Sequence, residues 1–229
     1  LFFKLYAKYS PGPISYILKL KKNSLISKNV TNKKNTLAVR FPSHSLTRNL
    51  LKKLNYPLAA PSANISTKIS PVSKKDVQDE FGKKISLILD GGSSKIGVES
   101  TIINLIKKPQ ILRLGGIPKE EIKKYLNLNV RFNKRSKIKS PGQGETHYSP
   151  FIRLRLNIKN AHKNEAFILI KKRKKFNKNY FYLSKKNNLK EAAKNLYKTL
   201  RVIKKRKFKS IAVEKIPNKG FGEVINDRL

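Results

Sequence analysis

The chain of 229 residues contains no cysteine. That excludes a disulfide framework and a thiolate metal site. Its three histidines, His44, His147 and His162, are too scattered to suggest a zinc cluster. Acidic residues are scarce. There are 13 against 53 lysines and arginines, none before Asp76, and the net charge is +40. No apolar run approaches the roughly 18 residues that a membrane helix requires, and no signal peptide is visible. The expectation is a soluble, cytoplasmic protein without membrane contact. The chain opens at Leu1 rather than Met, and LFFKLYAKY reads as the tail of an amphipathic helix that began earlier. An N-terminal segment is therefore expected to be missing.

What is present is enough for a core. An apolar content of 38% excludes a disordered chain, and the length accommodates one large domain or a larger and a smaller one. Basic runs lie at 19–34, 131–139, 171–178 and 204–209. Such a field favours polyanions: RNA, DNA or nucleotide triphosphates. The competing reading is a lysine- and asparagine-rich composition set by an AT-biased genome. Most of the lysines lack interleaved aromatics, and both readings stand.

The stretch 56–71, YPLAAPSANISTKISP, organises the rest. It reads as a short apolar strand over 57–60 that enters a loop carrying Ser62, Asn64, Ser66, Thr67 and Ser70. Small hydroxyls and exposed backbone N–H groups let a loop approach phosphate closely. Ser70 and Pro71 read as N-cap and first residue of the next helix, closed by Gly82. On pattern alone, a solvent-exposed Ser/Asn loop is the favoured reading.

Around this stretch the pattern predicts a helix over 1–9, strands over 14–20 and 36–40, a basic loop over 21–34 and a helix over 46–54 capped by Ser43 or Ser45. Strands follow over 85–89, 98–105 and 110–114, then a helix over 119–126. Residues 131–150 lack periodicity, and a connection of that length more often has a function than not. Beyond it, strands over 166–170, 180–184 and 211–213 alternate with helices over 188–203 and 223–229, a pattern suggesting a small Rossmann-like unit. No GxGxxG is present, so no dinucleotide site is implied.

These residues carry a specific resemblance. LAVRFP (37–42), PLAAPSAN (57–64), the Ser70-Pro71 pair, DGG (90–92), GVEST (97–101) and LRLGG (112–116) follow in order. SPGQGETHYSP (140–150) and GFGEVINDRL (220–229) complete the series. The chain resembles the L-threonylcarbamoyladenylate synthases of the YrdC-like family, in the long form with an extra C-terminal domain. The resemblance implies an α/β fold. It consists of a YrdC-like twisted mixed sheet with helices around a basic cavity, plus a small Rossmann-like α/β C-terminal domain. The expected division is 1–130 for the catalytic domain with its N-terminal part missing, 131–151 for a linker or lid, and 152–229 for the C-terminal domain.

The implied reaction joins L-threonine, bicarbonate and ATP, with Mg2+ accompanying the ATP. Pyrophosphate is released, and the threonylcarbamoyl-AMP passes to transferase proteins that modify a tRNA adenosine. By the same resemblance Arg40, Ala60 and Ser100 line the threonine, while Thr36, Ser62, Ser70, Arg113 and Tyr148 contact the nucleotide. His147 belongs to the family's HY pair. No catalytic nucleophile or base and no metal ligand is assigned, because this chemistry rests mostly on positioning and charge stabilisation. Leu114 stands where the family often has proline. The family's first segment, which supplies further threonine contacts, has no counterpart here. Two other readings remain open. One is an RNA-binding module of the same fold, with tRNA or double-stranded RNA as the contact that the charge favours. The other is a carbamoyltransferase of related fold, against which the linker and second domain argue.

Overall fold

The computed structural model describes residues 1–132, 151–174 and 177–229. In chain order its elements are α1 (Phe2–Tyr9), β1 (Ile14–Lys19), α2 (Lys28–Thr31), β2 (Thr36–Arg40), α3 (Ser45–Lys52), α4 (Lys74–Phe81), β3 (Thr101–Asn104), β4 (Gln110–Arg113), α5 (Lys119–Leu126) and β5 (Arg131–Phe132). They continue with β6 (Arg153–Arg155), β7 (Ala166–Lys171), β8 (Tyr180–Ser184), α6 (Leu189–Lys205), β9 (Ser210–Val213) and α7 (Phe221–Asn226). The elements fall into two compact units. One takes the described residues of 1–61 and 99–132, and the other takes 62–98 with those beyond 150. Residues 62–98, which the sequence division grouped within 1–130, thus pack with the C-terminal elements.

The first unit is built on a mixed sheet of order β2-β1-β3-β4-β5. β1 runs antiparallel to β2 and parallel to β3, and β3 runs antiparallel to β4. Side chains alternate across a strand, so each face has its own set. Tyr16 is fully buried and meets the Phe2 ring of α1 edge-on at 5.1 Å. Tyr9 of α1 stacks edge-on against Tyr125 of α5 and donates to the Glu121 carbonyl. α1 and α5 thereby sit together on the Tyr16 side. Burial and the Glu121 charge push the Tyr9 hydroxyl up to about 12. The opposite side carries Ser15, Ile17 and their β2 neighbours.

The second unit has a wholly parallel sheet of order β6-β9-β7-β8. The crossover helix α6 starts where Asn188 accepts hydrogen bonds from the Lys190 and Glu191 amides, a well-made N-cap. Ala192, Ala193, Leu196, Leu200 and Ile203 form its buried stripe at helical spacing and pack on Ile168, Ile170, Leu183 and Ile211. Lys204 and Lys205 in the last turn complement the helix dipole. The other sheet face, with Phe167, Leu169 and Ala212, is packed by Ile158, Ala161, Tyr180 and Tyr182. The α/β class expected from the sequence is what the chain adopts.

Several local expectations do not hold. Residues 85–89 are not a strand: Leu87 is 73% and Leu89 52% exposed, and the segment is irregular. Residues 57–60 are likewise irregular. The helix after the Ser/Asn loop is capped by Ser73 rather than Ser70. Ser73 Oγ accepts the Asp76 amide, and Asp76 reaches back to the Val72 amide at 2.9 Å. α3 begins at Ser45 with His44 as N-cap and without a side-chain cap bond. The basic loop contains the short helix α2, capped by Ser27, and β6 adds a strand that the pattern did not show. No helix among the described residues is long and apolar enough to cross a membrane.

Candidate anion-binding site

In the first unit, register brings the predicted residues onto one face. Ser15 pairs with Arg40 on one side and with Ile102 on the other, and Ile102 pairs with Arg113. Cross-strand partners project from the same face, so Arg40, Ser15 and the β3 residues form a row. Thr36 shares the Arg40 face of β2 by alternation and pairs with Lys19.

Three polar contacts fix the row. Ser15 and Ser100 hold their hydroxyls 2.8 Å apart, and both residues are buried, Ser100 with 4% of its surface exposed. Arg113 donates from Nε and Nη2 to the Ser100 carbonyl at 3.1 and 2.9 Å, and from Nη2 to the Ser100 hydroxyl at 3.1 Å. Arg40 donates from Nε to the Gly12 carbonyl at 3.2 Å. Gly12 in turn donates its amide to the Phe41 carbonyl at 2.8 Å. A Cβ at Gly12 would come within 2.2 Å of the Tyr9 carbonyl oxygen, so the turn that receives Arg40 needs glycine. The LRLGG turn is held equally closely. Gly116 donates to the Glu99 carbonyl at 2.9 Å, and Thr101 Oγ1 both donates to the Ile117 carbonyl and accepts its amide. Leu114, in place of the frequent proline, is a buried core residue.

Burial of its guanidinium, and secondly the Arg113 charge nearby, lower the Arg40 pKa from the ordinary arginine value. The Arg40 residue nonetheless keeps an exposed surface. Among the described residues no carboxylate forms an ion pair with it. Two guanidinium groups that repel each other on one half-open face form a place where an anion is favoured. A carboxylate or phosphate there would receive paired N–H donors from a fork already held at Nε.

The remaining predicted residues lie elsewhere. Ala60 is exposed in the irregular segment of the first unit. Ser62, exposed, and Ser70, buried, belong to the second unit. There Asn64 Nδ2 donates to the Ile65 and Lys68 carbonyls, both at 3.0 Å, and draws the loop back on itself. Tyr148 and His147, with most of the predicted linker, lie outside the described residues. Ser15, which the structure adds to this row, does not stand out in the sequence. Its signal is a hydroxyl on an otherwise apolar strand, with the same parity as Ile17, so that it faces the site while buried.

A two-unit α/β chain with two arginines on one face of its mixed sheet is the class that fold and geometry define. A family profile described as telomere recombination, for the Sua5, YciO and YrdC proteins, matches residues 1–115. A second, described as the threonylcarbamoyl-AMP synthase C-terminal domain, matches residues 117–229. The chain is 33% identical to a threonylcarbamoyl-AMP synthase of Pyrococcus abyssi, over 97% of this chain and 70% of that protein. It is 37% identical to one of Schizosaccharomyces pombe, over 85% of this chain and 48% of that protein. It thus spans over two thirds of the archaeal relative and about half of the yeast one. The crystal structure of P. abyssi Sua5 complexed with L-threonine matches with a TM-score of 0.86 at 31% identity, covering 100% of this chain and 72% of that one. The chain belongs to the Sua5/YrdC family, in the long form that carries the C-terminal domain.

Proposed function

We infer that this protein makes L-threonylcarbamoyl-AMP from L-threonine, bicarbonate and ATP with release of pyrophosphate. The observation that carries the reading is the Arg40–Arg113 pair set on one face around the Ser15–Ser100 hydroxyls. In this reading Arg40 takes the threonine carboxylate, with Ser100 and Ala60 alongside. The amine is then free to add to bicarbonate, which loses its hydroxyl as water and leaves a carbamate. A carbamate oxygen attacks the α-phosphorus, the bond to the bridging oxygen breaks, and pyrophosphate leaves. Arg113 faces the charge that builds on the phosphoryl oxygens. Its hold on Ser100 keeps the guanidinium in place, so little reorganisation is needed during the reaction. The resemblance assigns Thr36, Ser62, Ser70 and Tyr148 to the nucleotide. Mg2+ enters with the ATP phosphates. Among the described residues no group of three His, Cys, Asp or Glu is placed to hold a metal, and no protein ligand is assigned to it.

The same reading places the protein in the cytoplasm, upstream of the transferase proteins that carry the threonylcarbamoyl group to tRNA adenosine. The experiment is mass spectrometry of the reaction mixture with each of the three substrates left out in turn. Product should require all three. Product without threonine or bicarbonate, or none from the complete mixture, would overturn the assignment. The +40 charge favours a second property, an RNA contact. Its affinity should fall steeply with salt, log K against log[salt] having a slope of several units, and a flat dependence would leave the lysines as solvated surface.

A further inference from the structure

The loop with Ser62 and Ser70 is fastened to the C-terminal helix α6, and the fastening centres on one side chain. Ile69, 3% exposed, is buried in the second unit's core beside Leu196, Leu200 and Ile203 of α6, with Val72 and Val98 packed at the margin. Arg201 of α6 donates from Nη2 to the Ile69 carbonyl, one residue before Ser70. Its side chain is only 15% exposed, with Nε 3.8 Å from Asp76 Oδ1 and Nη1 3.8 Å from Glu80 Oε2. Glu80 also meets Lys68 Nζ at 3.4 Å, and Lys68 offers its carbonyl to Asn64. Arg201 therefore touches both ends of one device: the loop's backbone, and the two α4 carboxylates that hold the return of the chain.

A cation set so deeply against two carboxylates and a carbonyl is a costly feature unless all its partners remain. One planar group reaches all three: Nη2 makes the hydrogen bond to the carbonyl, and both carboxylates lie at ion-pair distance, with Nε making no hydrogen bond among the described residues. The neighbouring Lys205–Asp79 pair is solvent-exposed and adds little.

We propose that Arg201 is a positioning residue for the nucleotide, through which the C-terminal domain sets ATP affinity by fixing the backbone of the 62–70 loop. This rests on the reading above, in which Ser62 and Ser70 contact ATP. The test uses the full chain with Arg201→Met and Arg201→Lys, measuring ATP and threonine affinity by titration and amide exchange by mass spectrometry. Arg201→Met should weaken ATP binding about tenfold or more and leave threonine affinity within about twofold. Exchange over 62–73 should accelerate while the peptides of β7 and β9 remain protected. Arg201→Lys, which keeps the charge but not the fork, should recover part of the ATP affinity. If Arg201→Met loses its thermal transition, Glu80→Gln, which leaves the buried arginine short of one partner, should weaken ATP binding in the same direction. Unchanged exchange over 62–73 in a folded Arg201→Met overturns the proposal, whatever ATP does. So does accelerated exchange with unchanged ATP affinity. A wild-type chain that binds no ATP would instead overturn the functional reading.

Discussion

Removing Arg40 tests the anion site where its energetics are most one-sided. Among the described residues this guanidinium makes one hydrogen bond, to the Gly12 carbonyl, and lies near Arg113. Burial and that neighbouring charge both disfavour its cationic form. Arg40→Ala therefore loses one hydrogen bond worth about 1 kcal/mol but relieves repulsion, and net stability should change by less than about 1 kcal/mol. Ligand binding should respond quite differently. A charge-assisted contact to a carboxylate contributes roughly 1.5–3 kcal/mol. At about 1.4 kcal/mol per factor of ten, threonine affinity should fall roughly 10- to 150-fold. ATP affinity should shift by less than about threefold. Isothermal titration with each ligand, beside a thermal melt, makes the comparison. Equal losses for both ligands with a lowered melting temperature would mean that Arg40 is structural. Unchanged threonine affinity would refute its placement on the carboxylate.

Other predictions concern the framework. Ser100→Ala removes the partner of the Ser15 hydroxyl and one contact of Arg113, and should cost about 1–2 kcal/mol. Because the two hydroxyls share one contact, Ser15→Ala should cost less in the Ser100→Ala background than alone, as a denaturation cycle would show, and strict additivity would contradict the contact. In the second unit, the hydrogen bonds from Arg155, with help from the His162 amide and Ser210, hold Glu165 well down, from 4.5 to about 2. A lowered carboxylate contributes stability that is fully present above its unfolded value and is lost as pH falls through the folded one. Melting temperature should drop between pH about 4.5 and about 2, and Glu165→Gln should flatten that limb. An identical acid profile in the variant would show that other carboxylates dominate.

Much of the fold was legible because the local signals were redundant. α6 combines an N-cap at Asn188, a stripe of Ala192, Leu196, Leu200 and Ile203, and lysines in its last turn. β1, β2, β7 and β8 carry β-branched and aromatic residues between clear breakers. Residues 85–89 misled because four apolar residues within five match a buried strand equally well, and periodicity cannot separate such a run from an exposed one. Ser70-Pro71 is a false cap signal after the Ser/Asn loop, whereas Ser73 followed three residues later by Asp76 is a legible capping pattern. Arg40, Ser100 and Arg113 stand out in the sequence through the resemblance, and the structure brings them onto one face, but no local pattern links Ser15 to Ser100, 85 residues away, since only register makes them neighbours. The placement of 62–98 was hidden for the same reason. Ile69 and Val72 are unremarkable in sequence, and their burial against α6 is a long-range choice.

Labelled bicarbonate measures the coupled chemistry at this site directly. With L-threonine, ATP and Mg2+ present, each labelled carbon entering an acid-labile nucleotide should be matched by one pyrophosphate. Both signals should fall together in Arg40→Ala when threonine is limiting. Pyrophosphate released without uptake of label, or label uptake unaffected by the loss of Arg40, would contradict the account.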